Sequence, residues 1–231
     1  MQVQKQLIGY IENFILSHSV VSISGKSGTG KTSLVLYIIG NLVEKPSCSV
    51  WIQASELFPK ARMISIFGDA KERSDYVLQN TYVIPKRPFT SYSDQVKFFL
   101  PFVSDDTLFP PDLKFMIIDN ISHHLRYELS TKTDIKERIG LMDTFYESII
   151  CPLILKCQRE EVILILIHEV TFDVSTQQTR PFFHKLYDRI KGFQITLNKS
   201  IFSKERTMDI NTGKKNVSFG FSMKKDGFYL V

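Results

Sequence analysis

Five short runs of apolar and β-branched residues, at 19–24, 49–53, 81–84, 115–119 and 162–167, are separated by longer stretches, most of them with apolar positions at helical spacing. The short runs predict strands and the longer period predicts helices. Their alternation predicts an α/β fold, a mostly parallel central sheet flanked by helices, because each return to a parallel strand needs a crossover. Chemistry then belongs at the carboxyl ends of the strands. In QKQLIGYIENFILSH, Leu7, Ile11, Phe14 and Ile15 fall on one helical face and predict a helix within residues 1–18, ahead of the first strand. From 134 to 159 the pattern is helical but contains Pro152, which predicts a kink or two helices. Beyond Phe193, ITLNK, RTMDI, NVSFGFSM and FYLV, with the turn signals NTGK and KKDG, predict short antiparallel strands completing the sheet.

With 231 residues and no low-complexity stretch, repeat or long linker, the chain is expected to form one domain over 1–231. No apolar stretch approaches the roughly 20 residues that span a bilayer, and the N-terminus lacks the basic-then-apolar order of a signal peptide. A cytoplasmic location without membrane contact is the expectation. Cys48, Cys151 and Cys157 form no CxxC pair and suggest neither a disulfide framework nor a zinc site. The net charge of +5 is unevenly placed: residues 180–231 hold eleven Lys/Arg and four Asp/Glu, a local +7 against −2 for the preceding residues. Such a basic end suits a phosphate-bearing partner.

The first predicted strand runs into GKSGTGKT, residues 25–32, and then into the apolar-periodic SLVLYIIGNLV. Strand, GxxxxGKT loop and helix together are the P-loop pattern. Gly25, Lys26, Ser27, Gly28, Thr29, Gly30, Lys31 and Thr32 are the candidate nucleotide-binding residues. The glycines let backbone amides converge on phosphate, Lys31 reaches the β and γ phosphates, and the Thr32 hydroxyl ligates magnesium. Lys26 reads equally as a solvated charge. A second metal anchor is expected at the end of an apolar strand, and KFMIIDN supplies Asp119. ATP and magnesium are the implied cofactors.

Several blocks then resemble the RecA/RadA recombinases, and within them the short archaeal RadA paralogues. WIQASELFPKAR is similar to their second core strand and following helix, with Phe58 and Arg62 in step. VLQNTYVIPKRPFTSYSDQVKFFL, FMIIDNISHHLRYEL and VSFGFSMKKDGF are similar to later blocks, in the same order, over roughly 20–228. The resemblance implies a RecA-like P-loop NTPase core, without a separate N-terminal DNA-binding domain. It implies an accessory paralogue that assists homologous recombination and DNA repair, with a RadA-type recombinase or another paralogue as partner.

Two departures from that pattern bear on turnover. The family places a water-activating Glu at the end of the strand matched by WIQAS; here Ser55 takes that position and Glu56 follows it. Adjacent residues of a strand point to opposite faces, so Glu56 can act only if the strand bulges or ends early. After VILILI the family's Asn-Gln pair is replaced by His168 and Glu169. Glu169 either positions water or turns away from the phosphate it would repel. Glu56 and Glu169 are thus the candidate catalytic acids of a slow ATPase. The following segment mixes Phe172, Phe182, Phe183 and Tyr187 with Arg180, Lys185, Arg189 and Lys191, a composition suited to single-stranded DNA and equally to a packed core with a solvated helix face. Arg126, in HHLRYE, is a further DNA-binding candidate or a plain helix-surface residue. The competing expectation is a non-catalytic, ATP-gated assembly module that binds the main recombinase through protein contacts alone.

Overall fold

The structure is a computed structural model; it describes residues 2–68, 70–104, 107–173, 178–182, 192–200, 206–213, 215–224 and 227–230. Helix α1 (Gln2–Leu16) precedes β1 (Val20–Gly25), α2 (Lys31–Leu42), β2 (Cys48–Gln53), α3 (Lys60–Phe67), α4 (Lys71–Gln79) and β3 (Thr81–Ile84). There follow α5 (Tyr92–Val103), β4 (Leu113–Asp119), α6 (His123–Ser130), α7 (Ile135–Phe145), α8 (Cys151–Arg159) and β5 (Ile163–His168). The chain closes with β6 (Val170–Asp173), β7 (Gln178–Pro181), β8 (Phe193–Lys199), β9 (Arg206–Asn211), β10 (Asn216–Lys224) and β11 (Gly227–Leu230). It is an α/β structure built on a nine-stranded sheet of order β11-β10-β9-β8-β1-β5-β4-β2-β3, mostly parallel, flanked by helices and extended by antiparallel C-terminal strands.

Period-two alternation explains why the central strands need cover on both faces. Val21 and Ile23 of β1, Phe115 and Ile117 of β4, and Ile165 and Ile167 of β5 pack with Leu34, Ile38, Met63 and Val77 from α2, α3 and α4. Met116 and Ile118 of β4 and Leu164 and Leu166 of β5 face the opposite way, onto Phe99, Leu125, Phe145 and Leu153 from α5–α8. Each core strand therefore buries apolar side chains in both layers, at a gain of about 1.5–3 kcal/mol per fully buried large side chain. The C-terminal strands differ. In β8, Phe193, Ile195 and Leu197 are buried while Gln194, Thr196 and Asn198 between them are only half-buried, the signature of a sheet covered on one face. Helix α1 supplies that cover, with Ile11 and Ile15 fully buried and Phe14 stacked on Phe193 at 5.5 Å.

Two features depart from the pattern reading. ITLNK does not join an all-antiparallel group: β8 runs parallel to β1 and antiparallel to β9, so it is the hinge between the two halves of the sheet. Around Pro152 the helical stretch divides in two, as the pattern predicts, into α7 and α8. A five-residue π turn, Tyr146–Ile150, loosens the helix immediately before it and joins α7 to α8, giving the proline ring space in the first turn of α8. Finally, β6 and β7 form an antiparallel two-stranded sheet of their own, where no strand is expected.

Lys156, on α8, is buried and donates to the carbonyls of Phe102 (3.0 Å), Ser104 (2.5 Å) and Thr107 (2.6 Å), with its ammonium 4.9 Å from the Phe109 ring centroid. It thus caps the end of α5, whose last carbonyls have no intrahelical donor. Lys156→Met leaves those carbonyls without their donor and should destabilise the fold by about 2–3 kcal/mol in urea titration. A loss below about 0.5 kcal/mol would show that water replaces the ammonium at no cost.

Candidate functional site

The parallel register brings five strand ends to one edge. Ser24 of β1 pairs with His168 of β5, Gly25 with Leu197 of β8, and Gln53 of β2 with Asp119 of β4. From β1 the chain turns through 25–30 into α2, whose N-cap Gly30 has φ 104°, a left-handed conformation that L side chains resist. A Cβ on Gly25 would stand 2.6 Å from the Leu197 carbonyl oxygen, so only glycine lets the loop pass over β8. Thr29 is buried and ties the loop to itself through its hydroxyl, which donates to the Lys26 carbonyl at 2.8 Å. Gly30 offers α2 no side-chain cap, so the first-turn amides stay available to an anion at the positive end of the helix dipole.

Lys31 folds back over the loop and donates to the carbonyls of Gly25 (2.8 Å) and Lys26 (3.2 Å). Burial lowers its pKa, against the opposing charges of Asp119, Glu169 and Glu56. Beside it, the Thr32 hydroxyl donates to Asp119 Oδ2 at 2.9 Å. Burial pushes Asp119 up to about 6, against the Thr32 hydrogen bond, which favours the ionised form. A hydroxyl and a desolvated carboxylate in contact are the hard oxygen donors that magnesium takes, with water or phosphate completing its shell. Among the described residues no group of three or more His, Cys, Asp or Glu could hold a metal ion. The described protein atoms alone therefore form no metal cage, and an ion between Thr32 and Asp119 would need oxygens from a ligand.

These residues open into a cleft of about 550 Å³ lined by the loop, Ser33, Ser55, Glu56, Asn120, His123, Arg126, Glu169, Val170 and Met223. That volume suits a small-molecule ligand. Strand β2 ends at Gln53, which allows both Ser55 and Glu56 to border the cleft. Ser55 is engaged with the backbone: its amide donates to the Asp119 carbonyl at 3.2 Å and its Oγ accepts the Asn120 amide at 3.2 Å. Glu56 is exposed, and no described residue holds it by a hydrogen bond or ion pair. Phe58 packs edge-on against Trp51 at 5.2 Å, and Arg62 ties α3 to Ser33 Oγ (3.1 Å) and to the Lys224 carbonyl (2.9 Å).

Glu169 is engaged on every side. It accepts from Arg126 Nη1 (2.6 Å), Asn120 Nδ2 (3.2 Å) and His123 Nδ1 (3.3 Å), and its amide donates to Ser122 Oγ (3.1 Å). Burial alone would raise its pKa, but the hydrogen bonds and charges of Arg126 and His123 outweigh that and hold it below the usual range. His168 is fully buried and pushed down to about 3 by burial and then by the Lys31 charge, so it is neutral. Arg126 therefore faces the cleft and Glu169. Arg180 lies on β7, opposite Thr171 of β6, away from the cleft lining. Lys185, Arg189, Lys191, Phe183 and Tyr187 lie outside the described residues.

Asn120 is the functional candidate that pattern reasoning does not find. Its Oδ1 accepts from Ser122 N (3.0 Å) and Ser122 Oγ (2.8 Å), which turns its Nδ2 toward Glu169. Only its adjacency to Asp119 could have drawn notice. Arg206 likewise reaches the loop, donating to the Thr29 carbonyl at 3.3 Å from a strand 177 residues away.

No protein-family model matches the chain, and no curated protein matches its sequence.

Asp119 has a measurable signature in the free protein. Its folded-state pKa lies above the unfolded value, so its contribution to stability is complete below about pH 4 and is lost as pH rises through 6. Replacing it with the uncharged Asp119→Asn removes that loss. Relative to wild type, the variant should gain about 3 kcal/mol between acid pH and pH 7, read from urea midpoints across the range. A constant stability difference would mean that Asp119 titrates normally.

Proposed function

We propose that the chain is an ATP-binding RecA/RadA-type recombinase paralogue with a RecA-like P-loop core, assisting homologous recombination and DNA repair, and hydrolysing ATP slowly. The observation that carries the nucleotide reading is the Thr32–Asp119 hydrogen bond of 2.9 Å beside Lys31. It sets a magnesium-type oxygen pair next to a lysine now spending its charge on two loop carbonyls. A triphosphate offers that lysine a better partner, since charge-assisted bonds to phosphate are roughly twice as strong as bonds to neutral acceptors. The loop amides and the N-terminus of α2 hold the β phosphate, and Lys31 bridges toward the γ phosphate. Thr32 and Asp119 would hold magnesium, which would supply positive charge to the phosphate oxygens.

Slow turnover follows from the acids. A general base must be held within hydrogen-bond reach of the attacking water, and Glu56 stands at the cleft without a described partner to orient it. Glu169 is already paired with Arg126 and hydrogen-bonded to His123. The recombinase assignment itself rests on the ordered resemblance along the chain. Single-stranded DNA is assigned to the basic-aromatic segment that begins at Arg180, and a RadA-type recombinase or second paralogue to the protein contacts.

Calorimetry with ATP and magnesium should give saturable binding that Lys31→Ala weakens at least about 100-fold, the loss of a charge-assisted phosphate contact and its orientation. Unchanged affinity in that variant would refute the site. Steady-state turnover should lie below about 0.1 s⁻¹, under the roughly 1 s⁻¹ floor of ordinary enzymes, and rise only a few-fold with single-stranded DNA. A motor-like rate would overturn the slow-hydrolysis reading. Because Glu56 is unsupported, a second reading is favoured by the same geometry: an ATP-gated module that never turns over. Tight ATP binding, no phosphate release and retention by a RadA-type recombinase only in ATP would establish it.

A further inference from the structure

The cleft carries an anion of its own. The Glu169 carboxylate sits among three donors from one short stretch, Asn120, His123 and Arg126, which runs from the end of β4 into the first turn of α6. Three converging donors, one of them a guanidinium, form an anion-binding set. Here a side chain from the residue just after the end of β5 fills it. The set borders the same cleft as the phosphate loop, and Lys31 feels the Glu169 charge directly. A second anion delivered to the cleft competes with Glu169 for Arg126 and is repelled by the carboxylate it must displace.

We infer that Glu169 is an internal stand-in for a terminal phosphate. It holds Arg126 in reserve, and Arg126 is the residue that distinguishes a nucleoside triphosphate from a diphosphate by moving from the carboxylate to the γ phosphate. This inference rests on the nucleotide reading above and adds to it a residue that sets specificity. The exchange also has a route out of the cleft. The Arg126 guanidinium lies 5.6 Å from the Phe182 ring centroid, and the Phe182 amide donates to the Glu169 carbonyl at 2.8 Å. Withdrawing the guanidinium therefore releases one of the contacts on Phe182, which directly follows the β6–β7 hairpin and leads into the basic segment. The triphosphate state is thereby written onto that hairpin.

The test compares magnesium-ADP with a magnesium-bound, non-hydrolysable ATP analogue by calorimetry on the full chain. Arg126→Ala should weaken the analogue about tenfold and leave ADP within about twofold, the loss of one charge-assisted bond made only to the third phosphate. Arg126→Lys should restore part of the loss and, by binding ADP normally, report an intact fold. Glu169→Gln should tighten the analogue about five- to tenfold and leave ADP within about twofold. That gain should shrink when Arg126→Ala is already present, because the two residues act as a pair. A gain of equal size in both backgrounds would show simple repulsion and overturn the exchange. So would equal effects of either variant on ADP and the analogue. Wild-type protein that binds neither nucleotide would instead fell the nucleotide reading, and the exchange with it.

Discussion

Thr32 and Asp119 are 87 residues apart in the chain and 2.9 Å apart in space. Their contact exists because β1 and β4 run the same way on either side of β5, so that both strands deliver their last residues to one edge of the sheet. Every other feature of the cleft hangs from that alignment. The turn at 25–30 can pass over β8 only because β8 is parallel to β1 at this point, and the loop at 54–56 approaches Asp119 only because β2 pairs with β4 to its end. A slip of one residue in any of these registers would turn each side chain to the opposite face and disperse the group.

The same alignment concentrates ionisable groups where water is scarce. Lys31, Asp119 and His168 are all shifted by burial, the two cationic types downward and the carboxyl upward, so each is biased toward its uncharged form. Such a site is costly without a ligand and well prepared for one that brings both negative phosphate and a divalent cation. Glu169 stands apart: it stays ionised because Arg126 and His123 compensate its burial. The cleft thus contains desolvated groups waiting for charge and one carboxylate already supplied with it. The proposed affinity for ATP follows from the first, and the proposed slowness of hydrolysis from the second together with the unsupported Glu56.

Legibility in the chain tracked periodicity and local steric need. The strand at 81–84 was readable to the residue although it lies at the sheet edge with Tyr82 exposed, and the central strands to within two positions, because apolar runs covered on both faces admit few other placements. ITLNK was readable as a strand but not in its direction. Its half-buried alternation resembles an antiparallel edge, whereas its parallel partner lies some 170 residues earlier, beyond any local signal. The hairpin of β6 and β7 was hidden because the strands VTFD and QTRP are short and mix Val, Thr and Phe with Asp and Gln, residues that strands and loops share. Pro152 signalled a division of the helical stretch, and a π turn just before it separates α7 from α8.

From local pattern alone it follows that an apolar strand enters a glycine-bearing turn and leaves through a helix, because left-handed backbone and close passage at 25–30 admit few other residues. That pattern also marked Asp119 as a carboxylate ending a buried strand. Where charges cancel depends on the packed fold: there Thr32 meets Asp119, Ser55 serves the backbone while Glu56 is left free of described partners, and Arg126 closes on Glu169 across 43 residues. Local pattern reports which face of an element is apolar. Pairing between charged side chains depends on how distant strand ends line up, and that is a property of the assembled sheet.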